Sequence, residues 1–460
     1  MRKFLAVFLL TIFSSPALSA FAADSSAKTI VLDPATLRAQ LLKGNLSLVQ
    51  QEKLVEDAKT SISVARAGLF PSLNLSAAFK GNFILSSIDF LVPFLIPSNW
   101  AELDQNKHLF EAQKLSYKAL ELNTYSSALS VYFNVRSDNE IAQQHLQQAK
   151  DLRQIADYIQ NAASFGVASG QDVQNALGNA EAAEGEASKM QVAMIKELAA
   201  LRQMLGLSLD TQILFSTDQS AATLAPSTVE SATSPTDIAK AVDRSLSTGP
   251  ELAQINELIT AAKAGTWSKA FGWINSASLE ASSENGSNAS FSNLQARGSV
   301  SLGLGIFPVI ELSHRNVQEI QLRAEALRQE NTEILEGSIL ATQEAQNELA
   351  HFSRAEAALK GAYDDVLTQY QFGVANIYDV LQAHQSLSAA AINRIQAELE
   401  ITLLRVTLHR TMLTDEFAKI PDCAAQNPPA PQKRGGFFGN LFGSHKDESG
   451  PSLLEICRAK

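Results

Sequence analysis

Two hydrophobic periods alternate along the chain. Over residues 35–69, Leu37, Leu41, Leu48, Leu54 and Val64 stand among polar neighbours at helical spacing, and Phe70-Pro71 predicts where that helix stops. The period then drops to two. Leu73, Leu75 and Ala77 alternate with Ser72, Asn74 and Ser76, as in a strand with one apolar face. Beyond Gly81-Asn82 the run Phe83 to Ile96 is apolar on both faces and broken by Pro93 and Pro97, which reads as the second strand of a hairpin. From about Asn99 to Ser164 the residues are helix formers without a Pro or Gly, enough for a continuous helix of about 100 Å. Helical spacing resumes over Asp172 to Met204 and ends at Gly206.

The succession then recurs. Residues 208–235, rich in Ser, Thr and Ala, read as a linker, followed by helices over Thr236 to Leu246 and from Glu251 towards Lys269. A Gly- and Ser-rich turn around Asn285 to Asn293 precedes Ser299-Val300-Ser301-Leu302-Gly303-Leu304-Gly305-Ile306, the most regular strand pattern of the chain. Aliphatics on one face and Ser or Gly on the other suit a barrel wall with lipid outside and water inside, and equally a half-buried strand of a soluble sheet. Pro308 is expected to end that strand, with a second long helix from about His314 to Gln371. After it, Ile392, Ile395, Leu399, Leu403, Val406 and Leu413 form one stripe, opposed by Arg394, Gln396, Glu398, Arg405 and Arg410. Helices of this kind pack side by side in a coiled-coil-like array.

The recurrence is also one of residues. Phe165-Gly166-Val167-Ala168-Ser169 returns as Phe372-Gly373-Val374-Ala375-Asn376, and Asp172-Val173 as Asp379-Val380, each 207 positions later (residue 372 against 165). Each copy interrupts a helical pattern at one Gly and resumes it, which predicts two helix-helix tips. Asn45-Leu46 and Pro250-Glu251-Leu252 open corresponding segments, and Gln203-Met204-Leu205-Gly206-Leu207 answers Thr411-Met412-Leu413. The expected organisation is a first repeat over 23–207, a linker over 208–235, a second repeat over 236–415 and a mobile tail over 416–460.

Composition narrows the function. A net charge of −11 disfavours nucleic acid. Arg2 and Lys3, the apolar run Phe4 to Phe13 and Ala20-Phe21-Ala22 form a signal peptide over 1–22, the apolar run being too short for a membrane anchor. No later stretch is apolar for the ~18 to 20 residues of a membrane helix, so any membrane entry is by strands. Cys423 and Cys457 lie in the tail, and export leaves a disulfide between them or two free thiols as the readings. The histidines, at 108, 145, 314, 351, 384, 409 and 445, show no metal-ligand spacing and are read as exposed helix residues. With no nucleophile elbow, phosphate loop or CxxC motif, the chain is not expected to be an enzyme or to carry a cofactor or metal.

Geometry then points to transport. Two hairpins give four strands per chain, too few to close a barrel around an open channel, and unpaired strand edges are prohibitive in lipid. Strands in a membrane therefore require several subunits to share one barrel. The rival reading is a soluble periplasmic coiled-coil adaptor or scaffold, which explains the helices and signal peptide but not two hairpins at equivalent places.

The duplicated Phe-Gly-Val-Ala, the Asp172-Val173-Gln174-Asn175-Ala176 and Asp379-Val380-Leu381 segments, Gly249-Pro250-Glu251-Leu252 and Leu205-Gly206 together resemble the outer-membrane efflux protein family, the TolC-like channels, over about residues 35–415. The resemblance implies an α+β membrane protein: a homotrimer whose long coiled-coil-like α-helical barrel continues a shared twelve-strand transmembrane β-barrel. It implies an exit duct for efflux or type I secretion in the outer membrane, its helices in the periplasm. A periplasmic adaptor would join it to an inner-membrane pump at the tips, here Gly166, Val167, Ala168 and Ser169 with Gly373, Val374, Ala375 and Asn376. Asp379 matches the first of two aspartates that narrow the mouth, and Gln382 replaces the second, which puts a double acidic ring in doubt. Tyr370 matches a tyrosine that latches to an aspartate of the other tip, here Asp172, and Ala375 replaces an arginine that helps the latch. Asp172 and Asp379 also suit plain helix capping after a Gly turn.

Overall fold

A computed structural model describes residues 29–80, 82–166, 169–215, 224, 226, 230, 234–272, 274–282, 293–300, 306–414 and 417–418. The signal peptide, Val167 and Ala168, much of the linker and nearly all of the tail, with Cys423 and Cys457, lie outside the described residues.

Where one helix was expected over 35–69 there are two, α1 (Pro34–Gly44) and α2 (Leu46–Ala67). The break is imposed by packing. Gly44 meets the end of the first repeat so closely that a Cβ there would lie 2.0 Å from the Leu205 carbonyl oxygen. Asn45 accepts the Leu48 N–H as the cap of α2 and donates from Nδ2 to the Met204 carbonyl at 2.8 Å.

The chain continues through β2 (Ser72–Lys80) and β3 (Asn82–Leu91), then a single 3-10 turn at Pro93–Leu95, where the apolar run leaves the strand conformation. The long helix α3 (Pro97–Ser164) has 68 residues and α4 (Gly170–Met204) returns along it. The second repeat follows the same order: α5 (Pro235–Thr248), α6 (Pro250–Ala270), β5 (Ile274–Ser282), β6 (Asn293–Val300), α7 (Ile306–Gln371) and α8 (Ile377–Met412). Its α5–α6 break stands beside the end of α8, where Ser245 Oγ donates to the Thr411 carbonyl at 2.9 Å. Two short strands, β1 (Thr29–Leu32) and β4 (Gln212–Phe215), pair in parallel, so part of the expected linker is a small sheet. Four residues are too few to set a period.

Pro308 corrects the expected start of α7. Residues 301–305, most of the expected strand Ser299 to Ile306, lie outside the described residues, and Pro308 lies in the first turn of a helix that begins at Ile306 rather than near His314. Nothing opposes a proline there, because the first four N–H groups of a helix have no intrahelical acceptor.

The two hairpins form one antiparallel sheet in the order β2-β3-β5-β6. The joint between repeats runs from Ser87↔Ser282 to Leu91↔Ser278. Among the described residues β2 and β6 are edges without a partner on their outer sides. Chain direction places α2, α3, α6 and α7 next to this sheet and α3, α4, α7 and α8 at the far end, with α3 packed on α2, α4, α6 and α8. The largest core surrounds the fully buried Tyr125 and Tyr132 and takes in α1, α2, α3, α4 and the Val406 turn of α8.

Candidate gate and docking tips

The described parts of the two tips correspond. Gly166 and Gly373 both take φ 74, a left-handed conformation that an L side chain adopts at a penalty of ~1 to 2 kcal/mol. The second turn closes with the Val374 N–H on the Gln369 carbonyl at 2.8 Å, the six-to-one bond of a Schellman end. Ser169 then caps α4 and Asn376 caps α8. Asp172 and Asp379 complete capping boxes, taking the N–H of Ser169 at 3.2 Å and of Asn376 at 3.1 Å. Both carboxylates therefore serve the helix starts.

Behind the tips the helices share an apolar core: Leu152, Ile155 and Ile159 of α3, Val173 and Ala176 of α4, and Ile377 and Val380 of α8. Tyr363, Val366 and Tyr370 of α7 pack against it. The Tyr370 ring meets Tyr158 edge-on at 6.0 Å. Burial raises the Tyr370 pKa, with Tyr158 and the Asp172 carboxylate adding to the shift. No hydrogen bond among the described residues joins Tyr370 to Asp172. Close to the tips, a bond between the repeats runs instead from Asn175 Nδ2 to Tyr378 Oη at 2.9 Å, a pair that sequence reasoning missed. Its signal was faint, since each residue is an ordinary polar position near a helix start.

Gln382 is exposed, one turn beyond Asp379, which is itself exposed. The glycines lie at the tips as expected, but the surface they present is apolar: Phe165, Phe372 and Val374 are 83%, 80% and 77% exposed. The repeated Phe before Gly was the available signal for that surface.

Above the tips the reading of histidines as exposed fails for His384 and His409, both buried. His384 packs edge-on against Tyr363 at 5.1 Å and approaches Asp151 at 3.5 Å through Nε2. Burial lowers its pKa, partly opposed by Asp151. His409 is held by Thr414 Oγ1 at 2.8 Å. The polar face of α8 is likewise engaged rather than bare: Arg394 pairs with Glu356 and Glu398, Arg405 with the buried Glu230, and Arg410 with Glu251. Among the described residues there is no cluster of three or more His, Cys, Asp or Glu able to hold a metal ion.

Residues 37–207 match the family model of the outer membrane efflux protein. Proteins of this family are channels, not enzymes. The fold is that of solved TolC-like channels. CusC is similar at 16% identity and a TM-score of 0.70, covering 83% of this chain and 92% of that one. VceC from Vibrio cholerae is similar at 14% identity and 0.67, covering 82% and 95%, and CmeC from Campylobacter jejuni at 15% and 0.65, covering 84% and 88%. No curated protein matches the chain. No helix of the described residues is long and apolar enough to cross a membrane, a test that does not bear on strands.

Proposed function

We propose that the chain is the outer-membrane exit duct of a tripartite efflux or type I secretion system, a reading supported by the match of residues 37–207 to the outer membrane efflux protein model and by the fold. Three copies share a twelve-strand barrel, and their helices continue it as a periplasmic tunnel. The observation that carries this reading is the four-stranded sheet with two open edges at the end of helices about 100 Å long. An isolated sheet of that width leaves backbone groups of β2 and β6 unpaired, which lipid does not tolerate. Joining β6 of one copy to β2 of the next removes every edge. The helices beside those strands expose apolar residues suited to the same joint: Leu46, Leu54 and Val64 on α2, Leu312, Leu322 and Ile334 on α7. A soluble adaptor has no use for such a sheet.

In this reading the duct performs no chemistry. An adaptor docks on Phe165, Phe372, Val374 and the Gly turns, and shifts the population of tip arrangements. The Asn175–Tyr378 bond holds the α4 and α8 starts together, and Tyr370 with Asp172, Asp379 and Gln382 lines the mouth. In planar bilayers the purified chain should form pores whose conductance rises at least about twofold in Asn175→Ala with Tyr378→Phe. Protein that leaves the outer-membrane fraction in carbonate washes and forms no pores would refute the duct.

A further inference from the structure

Beside the sheet, between α6 and α7, lies a groove of about 460 Å³ lined by Lys263, Trp267, Ala270, Ile310, His314 and Val317. Its polarity is ordered along its length. The helix α6 runs towards the sheet and α7 away from it, so Ala270, Trp267 and Ile310 are the sheet-side wall. Lys263 and His314 each stand four residues further out than Trp267 and Ile310, about 6 Å away along the helix axis. Lys263 and His314 are both exposed and make no ion pair among the described residues. Thr266, also in the lining, turns its hydroxyl to the Ala262 carbonyl of its own helix.

Trp267 is 60% exposed and stacks on Phe271 at 5.7 Å. Comparable exposed side chains occur at other junctions of helix and sheet: Phe70 before β2, and Leu95 and Trp100 after β3. Exposed aromatic and apolar residues at one level of a protein mark where water gives way to lipid. The groove crosses that level with its apolar end towards the sheet and its cation towards water.

We propose that this groove seats one anionic phospholipid of the leaflet nearest the helices. The acyl chain lies along Trp267, Ala270 and Ile310, and the phosphate sits between Lys263 and His314. A neutral lipid satisfies only the apolar half, and a free phosphate ion only the polar half. The occupant therefore combines a negative headgroup with a hydrocarbon chain. The inference rests on the sheet lying in a bilayer.

The test uses the full-length protein in detergent, titrated with phosphatidylglycerol or phosphatidylcholine and observed by native mass spectrometry. Wild type should retain one phosphatidylglycerol per chain and much less phosphatidylcholine. Lys263→Glu should lower that retention at least about fivefold, since one basic residue near an anionic surface is worth about that factor. Trp267→Ala should lower retention of both lipids. Lys150→Glu, an exposed lysine far along α3, makes the same charge change and should leave retention unaltered. Equal retention by Lys263→Glu and Lys150→Glu, or equal retention of the two lipids by wild type, overturns the site. Matching helical circular dichroism excludes misfolding of a variant. Protein that floats with liposomes yet holds no phosphatidylglycerol removes this inference alone. Protein that does not float removes the duct reading with it.

Discussion

At the scale of single residues, the informative side chains are charges in unusual surroundings. Glu197 on α4 has a buried carboxylate oxygen without a hydrogen-bond partner. Burial, helped by the nearby Asp138 carboxylate, pushes its pKa up to about 6. A carboxyl whose folded pKa is raised stabilises the fold while protonated, below its ordinary value near 4.5, and that contribution is lost as pH rises towards 6. Glu197→Gln keeps the neutral form at every pH. Its melting temperature should exceed that of wild type at pH 7.5, with the gap closing by pH 4.5, and scanning calorimetry across that range checks it. Sequence alone could not single out Glu197, because a lone Glu on a long helix is usually solvated. Only the placement of α3 against α4 brings a second carboxylate to it. His384 was misread for the same reason: a polar residue in a helical pattern says nothing of which helices will cover it.

At the scale of elements, two kinds of glycine separate. Gly373 is needed for its backbone angle and has nothing within 4 Å of where a Cβ would stand, whereas Gly44 is needed for space. Gly373→Ala should therefore destabilise by about 1 to 2 kcal/mol, the left-handed penalty. Gly44→Ala must push apart two backbones that cross at Gly206, and should cost clearly more. Urea unfolding of the two variants under one set of conditions ranks them. The tips were legible because a helix interrupted by one Gly and resumed with a capping residue is a local event, written in consecutive residues. The Gly44–Asn45 break was not legible, since its cause is a chain segment some 160 residues away (Met204 against Asn45). The start of α7 was misplaced because Pro308 was weighed as a breaker, although a proline in a first helical turn removes no bond.

At the scale of the whole molecule, strand count and the repeat pointed from sequence to a barrel shared between subunits, and the exit duct came from the resemblance to the outer-membrane efflux proteins. The small β1–β4 pairing was invisible in that reading, being short and joining distant segments. Electrostatics at the mouth gives a further expectation. With Asp379 exposed at the start of α8 and Gln382 neutral beside it, the mouth of the proposed duct should carry a single acidic ring and favour cations. In a salt gradient across a planar bilayer, Asp379→Ala should move the reversal potential towards zero by several millivolts, at unchanged polarity of the gradient.

The open margins of the sheet bear on inheritance as well as on architecture. A pore that closes only when every margin finds its neighbour has no tolerance for one faulty member. In the proposed ring of three, the yield of sound pores falls as the cube of the fraction of sound chains. An allele encoding a chain with a spoiled β2 or β6 but intact helices should therefore act as a poison when expressed beside the normal gene, while one that abolishes the chain altogether should be silent in the same cell.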